Sequence, residues 1–462
     1  MLVGFQSLEK CFSVDSLSVR GTIPQWLNGN LLRNGPAKFE VGSNRYRHWF
    51  DGLALLHKFS IKNGKVSYQN CFLNSGECKE NTEKGQFSYR SFATDPCGGI
   101  FKRIFSGWFN RFSDNANVNI SKIGRHFVAL TETPMSVEFD AGTLQTKGYL
   151  KYDDNLKIST VTAHPHHDAK TNTSYNLVSK YGLRNKCYFY KLEGNGLKRR
   201  PFAESSVSNP SYQHSFAITE NYIIRTDIPF YVKNSLKLLF GRPFIENFHW
   251  DHEKSTVFSV FNKITGELIA KHSVPAFFTF HHVNAFEKDT DIIIDVVTYE
   301  DASIIQSLYL ENLRGTDLHI PFPETQLTRF KLPRNKGAIK TERLYQNLEL
   351  PRINYQYNTM DYRYLYGIGV HSKTIFDHLI KVDLKTRVHR TWKQADCFPG
   401  EPVFVPNPHA SSEDDGVILS VVLNEQSQQS FLLILDASSF KELAVATLAK
   451  PLPFGLHGIF AT

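Results

Sequence analysis

Short hydrophobic runs separated by polar turn residues recur along the whole chain. The runs are rich in valine, isoleucine, phenylalanine and tyrosine, and glycine, asparagine, aspartate or proline lie between them. Short runs of β-branched and aromatic residues bounded by turn residues are typical of β-strands. The pattern predicts strands at residues 54–61, 65–70, 126–131, 174–179, 187–192, 222–226, 256–262, 291–298, 362–370, 378–383, 416–423 and 431–435.

Turn sequences connect several of these predicted strands. Asn63-Gly64, Thr265-Gly266 and residues 193–196 (EGNG) each supply residues that accept the backbone conformation of a tight hairpin. Long amphipathic helical patterns are scarce. Because the strands are too numerous for one sandwich, we predict an all-β fold in which residues 1–462 form one domain, a propeller or another closed architecture without exposed sheet edges.

Seven acidic or histidine residues adjoin β-prone runs in apolar surroundings at a loose spacing. They lie about 54 residues apart on average, and a four-stranded propeller blade takes roughly 40 to 50 residues. We therefore expect seven blades, each directing one of these side chains toward the axis of the ring. The seven residues are Glu132, His164, His214, His281, Glu349, Glu401 and His457.

Two stretches interrupt the strand pattern. Residues 100–112 (IFKRIFSGWFNRF) place large apolar side chains on one helical face with lysine and arginine beside it, and residues 229–244 (PFYVKNSLKLLFGRPF) are again aromatic and basic. This combination is typical of interfacial membrane segments, and helices packed on the body of the fold are the alternative. We expect both stretches, from Ile100 to Phe112 and from Pro229 to Phe244, to contact a membrane surface.

The composition agrees with an aromatic interior and a mildly basic surface. The 462 residues include 36 Phe and 20 Tyr but 3 Met, and the formal net charge is +8. A basic excess favours anionic surfaces such as phospholipid headgroups. The chain has no block of lysine and arginine and no nucleic-acid-binding motif, so we exclude nucleic acid as a partner.

The cysteines and the N-terminal residues bear on the location of the protein. Six cysteines are scattered without the spacing of a metal site, which indicates free thiols in a reducing compartment. Residues 1–20 lack a basic head followed by an apolar core, and no apolar run approaches the length of a membrane span. We expect a cytoplasmic protein that associates with membranes peripherally, and the oligomeric state stays open.

Four histidines share one sequence context, because each adjoins an apolar or aromatic β-prone segment: His164, His214, His281 and His457. Neutral imidazole is the commonest ligand for a borderline transition metal. Four imidazoles without a thiolate would suit a divalent iron that keeps open positions for oxygen and a substrate. The chain has 18 histidines, so spacing alone does not single out this set, and structural roles for buried histidines are the alternative.

Three glutamates lie in unusually apolar or proline-bounded surroundings: Glu132, Glu349 and Glu401. Burying a carboxylate is costly unless it is paired. A histidine ligand needs an acceptor for its second nitrogen, and this acceptor is usually a carboxylate. A role in orienting the histidines therefore explains these three glutamates.

A set of motifs in fixed order gives the chain a resemblance to a known family. They include LRNGP at 32–36, HWFDG at 48–52, DPC at 95–97, TET at 131–133, AHPH at 163–166, FHHVN at 280–284, ELPRINY at 349–355, EPVFV at 401–405 and FGLHG at 454–458. With these motifs the chain closely resembles the carotenoid cleavage oxygenases, and among them the animal-type branch with the β-carotene oxygenases and the retinoid isomerohydrolase.

The resemblance implies a seven-bladed β-propeller with a cap of helices and loops over an axial active site. It implies one Fe(II) per chain, held by His164, His214, His281 and His457. Glu132 would bond His214, Glu349 would bond His281 and Glu401 would bond His457, which leaves His164 without a glutamate. Thr131 falls where the family has a threonine beside the open iron position.

The resemblance further implies oxidative cleavage of an alkene bond in a carotenoid or apocarotenoid, with O2 as co-substrate and aldehyde or ketone products. Three alternatives stay open: an oxygen-independent retinoid isomerohydrolase, cleavage of a phenylpropenoid alkene, and a lipid-binding propeller without activity. One departure concerns Cys97, because the animal members have lysine after Asp-Pro-Cys and this chain has Gly98. Lipid modification of Cys97 is therefore not carried over.

Overall fold

The computed structural model describes residues 2–95, 112–235, 238, 242–315, 322–335, 337–371 and 374–462. Within these ranges the regular structure is mostly β-strand. The first half of the chain contains β1 (Ser13–Val14), β2 (Ser18–Gly21), β3 (Gly29–Lys38), β4 (Glu40–Val41), β5 (Asn44–Arg45), β6 (Leu53–Lys62), β7 (Lys65–Phe72), β8 (Asn119–Ile123), β9 (His126–Leu130), β10 (Val137–Phe139), β11 (Thr146–Tyr149), β12 (Thr160–Val161), β13 (His166–Asp168), β14 (Thr173–Lys180), β15 (Lys186–Glu193), β16 (Arg200–Ser206), β17 (Ala217–Ile218) and β18 (Tyr222–Asp227).

The second half of the chain continues the same pattern. Its strands are β19 (Phe230–Val232), β20 (Phe248–Trp250), β21 (Thr256–Asn262), β22 (Leu268–Val274), β23 (His282–Lys288), β24 (Asp291–Tyr299), β25 (Thr325–Pro333), β26 (Lys340–Gln346), β27 (Leu348–Arg352), β28 (Tyr364–His371), β29 (Thr374–Asp383), β30 (His389–Trp392), β31 (Cys397–Pro399), β32 (Val403–Pro406), β33 (Gly416–Asn424), β34 (Gln429–Asp436), β35 (Glu442–Leu448) and β36 (Gly458–Ala461). The α-helices are α1 (Gly76–Lys84), α2 (Ser303–Ser307) and α3 (Leu310–Leu313), and single 3-10 turns lie at Val3–Phe5, Trp49–Asp51, Ile245–Asn247 and Tyr355–Tyr357.

Seven antiparallel sheets of four to six strands, formed by the residues given above, are the blades of a β-propeller. From the axis outward the first blade is β36-β3-β6-β7-β1, the second β8-β9-β10-β11, and the third begins with β12 and β13 and continues through β14-β15-β16. The fourth to sixth blades are β17-β18-β21-β22, β23-β24-β25-β26 and β27-β28-β29-β30. The seventh begins with β31 and β32 and continues through β33-β34-β35-β2.

Both ends of the chain take part in closing the ring. The C-terminal strand β36 pairs with β3, with Arg33 opposite Gly458, while β2 near the N-terminus pairs with β35 and completes the seventh blade. Strand β36 also contacts β8 and β32, the inner strands of the two neighbouring blades. A closed propeller leaves only short, protected sheet edges. The C-terminal segment is therefore docked on the ring and closes it.

The predicted strands and hairpins are confirmed. Each of the twelve predicted runs coincides with an observed strand to within three or four residues at either end, and the run at 256–262 coincides with β21. Between β6 and β7, Asn63 and Gly64 have φ values of 49° and 72°. Positive φ at both central residues is what a tight hairpin turn of the primed type requires, and glycine and asparagine adopt it most readily.

The two stretches expected at a membrane surface have different outcomes. Residues 100–111 lie outside the described part of the chain. In residues 229–244, the side chains of Phe230, Val232 and Leu238 are buried in the protein, and Phe244 is part of a cavity wall. The described beginning of this stretch therefore packs inward and does not present its apolar side chains to a membrane. Among the described residues, no helix is long and apolar enough to cross a bilayer.

Gly35 in β3 lies against the backbone of the closing segment. A Cβ at this position would lie 2.6 Å from the Cα of Gly455 and 3.0 Å from the nitrogen of Leu456. Because backbone cannot move aside without displacing β36, we expect Gly35→Ala to lower the free energy of unfolding by about 1 to 3 kcal/mol. Denaturant unfolding measures this loss. Gly182→Ala, whose Cβ would meet nothing within 4 Å, is the matched control, and equal midpoints for the two variants would contradict the prediction.

Candidate metal centre

The four candidate histidines lie at the inner edges of four different blades. His164 lies between β12 and β13, His214 lies shortly before β17, His281 immediately precedes β23, and His457 immediately precedes β36. At each of these places the chain enters or leaves an inner strand. A side chain there can therefore point toward the axis of the ring and not into the face of a sheet. The short inner strands bring together residues that are far apart in sequence.

The four imidazoles converge on one point. One ring nitrogen from each of His164, His214, His281 and His457 lies within 4.8 Å of the corresponding atom of every other. The Nε2 atoms of His164 and His214 are 3.0 Å apart, and those of His281 and His457 are 3.3 Å apart. His214, His281 and His457 are buried, and His164 is partly exposed.

Each of the three predicted glutamates is hydrogen-bonded to the predicted histidine. The Nδ1 atoms donate to carboxylates: His214 to Glu132 Oε1 at 2.6 Å, His281 to Glu349 Oε2 at 2.7 Å, and His457 to Glu401 Oε1 at 2.7 Å. The glutamates come from the second, sixth and seventh blades, so the seven blades contribute one residue each, as the spacing predicted. Among the described residues, no carboxylate is hydrogen-bonded to His164.

Two tyrosines complete the surroundings of the first two glutamates. The hydroxyl of Tyr212 donates to Glu132 Oε1 at 2.7 Å, and the hydroxyl of Tyr299 donates to Glu349 Oε1 at 2.6 Å. Sequence analysis missed both tyrosines, because nothing near them in the chain distinguishes them from the other tyrosines. The buried carboxylates thus have a second donor each, which holds their position and offsets the cost of their burial.

The third glutamate lies between two arginines. Arg33 Nη1 donates to Glu401 Oε2 at 3.0 Å, Arg352 Nε donates to Oε1 at 2.7 Å, and the backbone nitrogen of Gly458 donates to Oε2 at 3.0 Å. Burial would raise the pKa of Glu401, but the charges of Arg352 and Arg33 and the hydrogen bond from His457 lower it well below its usual range. Glu401 is therefore a stable anion in the protein interior. Both arginines lie within the motifs that gave the family resemblance.

For three of the four imidazoles, burial favours the neutral form that metal ligation requires. Desolvation lowers the pKa of His164 well below its usual value, and the nearby imidazoles lower it further. Burial lowers the pKa of His214 although Glu132 opposes this effect, and burial lowers the pKa of His457 to about 4. At neutral pH His164, His214 and His457 are therefore neutral, and one nitrogen of each ring has a free lone pair.

The donor set fits a metal ion. Because the Nδ1 atoms of three histidines hold their protons toward carboxylates, the Nε2 atoms of His214, His281 and His457 face one another with lone pairs. Lone pairs about 3 Å apart repel unless a cation lies between them, and metal–nitrogen bonds of about 2.1 Å place adjacent ligands about 3 Å apart. Imidazoles without thiolate suit zinc, copper, iron or nickel, so this cluster is the candidate metal centre.

The remaining histidines of the family motifs have other partners. His282 bonds the hydroxyls of Ser215 and Thr226, both at 2.7 Å. Of the others, His166 Nε2 donates to the carbonyl of Phe216, His48 Nε2 donates to the carbonyl of Ile305, and His57 Nδ1 bonds the hydroxyl of Tyr68. These contacts explain the buried rings as structural groups.

A cavity that is partly open to solvent lies beside the cluster, and its wall is mainly apolar. Its wall includes His214, His281 and His457, and Thr131 lies in the same wall directly before Glu132. Ile304 and Leu308, in and just after α2, also face it, so helices and loops cover one side. The aromatic part of the wall consists of Trp49, Phe50, Phe92, Phe112, Phe244, Phe280, Tyr299, Phe322 and Phe376. Such a cavity suits a long apolar ligand.

Glu349→Gln should weaken metal binding mildly. Glu349 Oε2 accepts from His281 Nδ1 and from the Leu350 nitrogen, and Oε1 accepts only the Tyr299 hydroxyl. A glutamine can keep its oxygen toward His281 while its amide donates to Tyr299, whose hydroxyl can also accept. We expect a loss in metal affinity of about 10-fold, at the low end for such outer contacts, measured by competition with a chelator. Unchanged affinity would contradict an orienting role for Glu349.

Residues 5–462 match the family model described as RPE65, retinal pigment epithelial membrane protein. The chain belongs to this family. Within the RPE65 family it is 36% identical to β,β-carotene 15,15'-dioxygenase of Homo sapiens, covering 96% of this chain and 91% of the relative. It is 34% identical to the mitochondrial carotenoid-cleaving dioxygenase of Mustela putorius furo, covering 99% and 95%. The resemblance inferred from the motifs is confirmed.

Solved structures of the RPE65 family have the same fold. Cobalt-substituted Synechocystis apocarotenoid oxygenase has a TM-score of 0.90 at 28% identity, covering 99% of this chain and 98% of that one. A chimera of that oxygenase and RPE65 has a TM-score of 0.89 at 28% identity with the same coverage. The predicted seven-bladed propeller is confirmed.

Proposed function

We propose that this protein is a non-haem Fe(II)-dependent dioxygenase that cleaves one alkene bond of a carotenoid or apocarotenoid with O2 and releases two carbonyl products. The observation that supports this best is the convergence of four imidazoles beside a cavity with an aromatic wall. The relatives named as β-carotene and carotenoid-cleaving dioxygenases supply the substrate class.

In this proposal His164, His214, His281 and His457 hold one Fe(II) through their Nε2 atoms. When bound, Fe(II) supplies the redox chemistry by which the two atoms of O2 add to the two carbons of one alkene, so that the double bond is replaced by two carbonyl groups. Glu132, Glu349 and Glu401 retain the Nδ1 protons of three ligands and fix the orientation of their rings.

In this proposal the residues of the cavity wall position the substrate and exclude water. Thr131 lies beside the cluster, and its methyl group narrows the space in which a small ligand can bind. The aromatic rings exclude water and hold a rigid polyene so that one of its bonds lies next to the histidines. Their π-faces also stabilise positive charge that develops on the polyene. No side chain is required as a general acid or base.

Comparison of reactions in air and under argon tests the proposal. Iron-loaded protein is incubated with β-carotene and with a β-apocarotenal, and the products are identified by mass. We expect carbonyl fragments in air, with label from ¹⁸O2 in both, and no product under argon. Turnover of a retinoid ester under argon would favour an isomerohydrolase, and cleavage of phenylpropenoids alone would favour that alternative. Iron-loaded protein that transforms none of these compounds would contradict an enzymatic role.

We also propose that the protein associates peripherally with membranes. Residues 100–112 combine large apolar side chains with lysine and arginine, the net charge is +8, and the proposed substrate dissolves in lipid. Sedimentation with vesicles that contain anionic phospholipid tests this association, and a variant with Phe105 and Trp108 replaced by serine should remain in the supernatant. Equal sedimentation of the two proteins would contradict a role for this stretch.

A further inference from the structure

The cavity wall contains a buried cation, the guanidinium of Arg90, whose two terminal nitrogens have no hydrogen-bond partner among the described residues. Arg90 is 5% exposed, and its Nη1 and Nη2 atoms have no hydrogen-bond partner in the described part of the chain. It lines the same cavity as three of the clustered histidines. The ring of Phe112 lies 5.7 Å from the guanidinium carbon, and the charge of Asp95 acts on the guanidinium without a hydrogen bond to Nη1 or Nη2.

Other buried arginines of this protein are paired with carboxylates. Arg33 bonds Glu401 at 3.0 Å, and Arg225 bonds Asp227 at 2.7 Å. Removing a charged group from water is costly unless the group is both paired and hydrogen-bonded. An arginine in an aromatic cavity therefore requires a partner that offsets this cost. The unfilled donors of Arg90 indicate that an acceptor comes from the contents of the cavity.

The geometry of the guanidinium indicates the kind of acceptor. Its donors form a planar fork that matches a carboxylate with two parallel hydrogen bonds and a carbonyl oxygen with one. Trp49 also lines the cavity, and its Nε1 likewise has no partner among the described residues. An indole is neutral and costs less to bury unpaired, so Arg90 is the stronger indication of a polar group on the ligand.

We propose that Arg90 binds the oxygen-bearing end of the substrate. The preferred substrate is then an apocarotenoid that ends in a carboxylate or, bound less tightly, in an aldehyde, and not a hydrocarbon carotene. This inference rests on the proposed function for the identity of the polyene. The aromatic wall accommodates the apolar chain, and Arg90 fixes one end of it, which determines which double bond lies beside the histidines.

Equilibrium binding tests the proposal without relying on turnover. The ligands are a β-apocarotenoid of one chain length as its acid, aldehyde and alcohol, and β-carotene, which has no oxygen. Dissociation constants come from quenching of tryptophan fluorescence, and kcat/KM is measured for the same compounds. For Arg90→Met we expect the dissociation constant of the acid, relative to that of β-carotene, to rise about 10- to 100-fold, because hydrogen bonds to charged groups are the strong ones. Arg90→Lys should restore part of the loss.

The controls separate ligand binding from a structural role. Arg125→Met, in the exposed turn between β8 and β9, should leave all four dissociation constants unchanged. The unfolding midpoint of ligand-free Arg90→Met should equal or exceed that of the wild type, because the substitution removes an unpaired buried charge. A lower midpoint, with equal weakening of all four ligands, would mean that Arg90 serves the fold and would overturn the proposal.

The result also separates this proposal from the proposed function. Acid binding that depends on Arg90, without cleavage of any ligand, would uphold the binding site and contradict the dioxygenase. Cleavage of β-carotene and the acid with equal kcat/KM in wild type and Arg90→Met would uphold the dioxygenase and overturn the role of Arg90.

Discussion

Replacing His281 with alanine is expected to abolish both iron retention and turnover. The substitution removes one of four converging Nε2 atoms, and it also leaves the buried carboxylate of Glu349 without the Nδ1 proton that it accepts at 2.7 Å. The carboxylate of Glu349, without its histidine, then lies next to the position that the His281 ring occupied. The three remaining imidazoles therefore do not form the same site. Iron content after desalting and product formation in air measure the two effects.

The neighbouring histidine provides a matched control for this substitution. His282 occupies the next position of the chain, but its ring bonds Ser215 and Thr226 in place of the cluster. We expect His282→Ala to lower the free energy of unfolding by about 1 to 3 kcal/mol, because two buried hydroxyls lose a partner, while iron content stays at one per chain. A His281→Ala protein with full iron and full turnover would contradict the assignment of His281 as a ligand.

The fold was predictable where the sequence signal is local. Hairpin strands such as β6 with β7 and β14 with β15 are long, alternate with turns, and lie at the predicted positions. The innermost strands were not predicted, because β12 and β17 are each two residues long and carry no periodic pattern. Their existence depends on pairing with the next strand of the blade, which only the folded ring supplies.

The candidate site was predictable for a different reason. A buried carboxylate or imidazole beside an apolar strand is costly, so each of the seven marked residues needs a partner, but the ligand set and the pairing of glutamates with histidines came from the family resemblance. The arginine partners of Glu401 were not predicted, because Arg33 lies 368 positions away in the chain and no local feature connects the two. The cavity wall was beyond prediction for the same reason, since Trp49, Phe244 and Phe322 meet only after the ring closes.

Glu401→Gln is expected to have the second-largest effect, on both stability and metal binding. All four contacts of this carboxylate are donors: His457 Nδ1 and Arg352 Nε to Oε1, and Arg33 Nη1 and the Gly458 nitrogen to Oε2. A glutamine must direct its NH2 group toward one of these two pairs of donors, so that hydrogen-bond donors would face one another. The substitution also leaves Arg33 buried without its counter-charge.

The size of this effect follows from the burial of the pair. Breaking a buried ion pair on one side costs about 3 to 5 kcal/mol, and we expect a loss of that order in the free energy of unfolding of Glu401→Gln. Glu401 also accepts a hydrogen bond from Gly458 in the closing strand β36, so the substitution should displace the neighbouring His457. We expect this displacement to lower metal affinity by about 100-fold, the high end for an outer contact. Denaturant unfolding and chelator competition measure the two losses.

Comparison with Glu349→Gln makes the prediction specific. The two substitutions make the same chemical change at equally buried glutamates that bond cluster histidines, and they differ in what surrounds the carboxylate. Tyr299 can accept a hydrogen bond from a glutamine, whereas an arginine cannot, so Glu349→Gln should be the milder change. Glu253→Gln, on the exposed surface, should change nothing. Equal losses for the two buried glutamates would mean that neutralising the charge, and not the pattern of donors around it, determines the outcome.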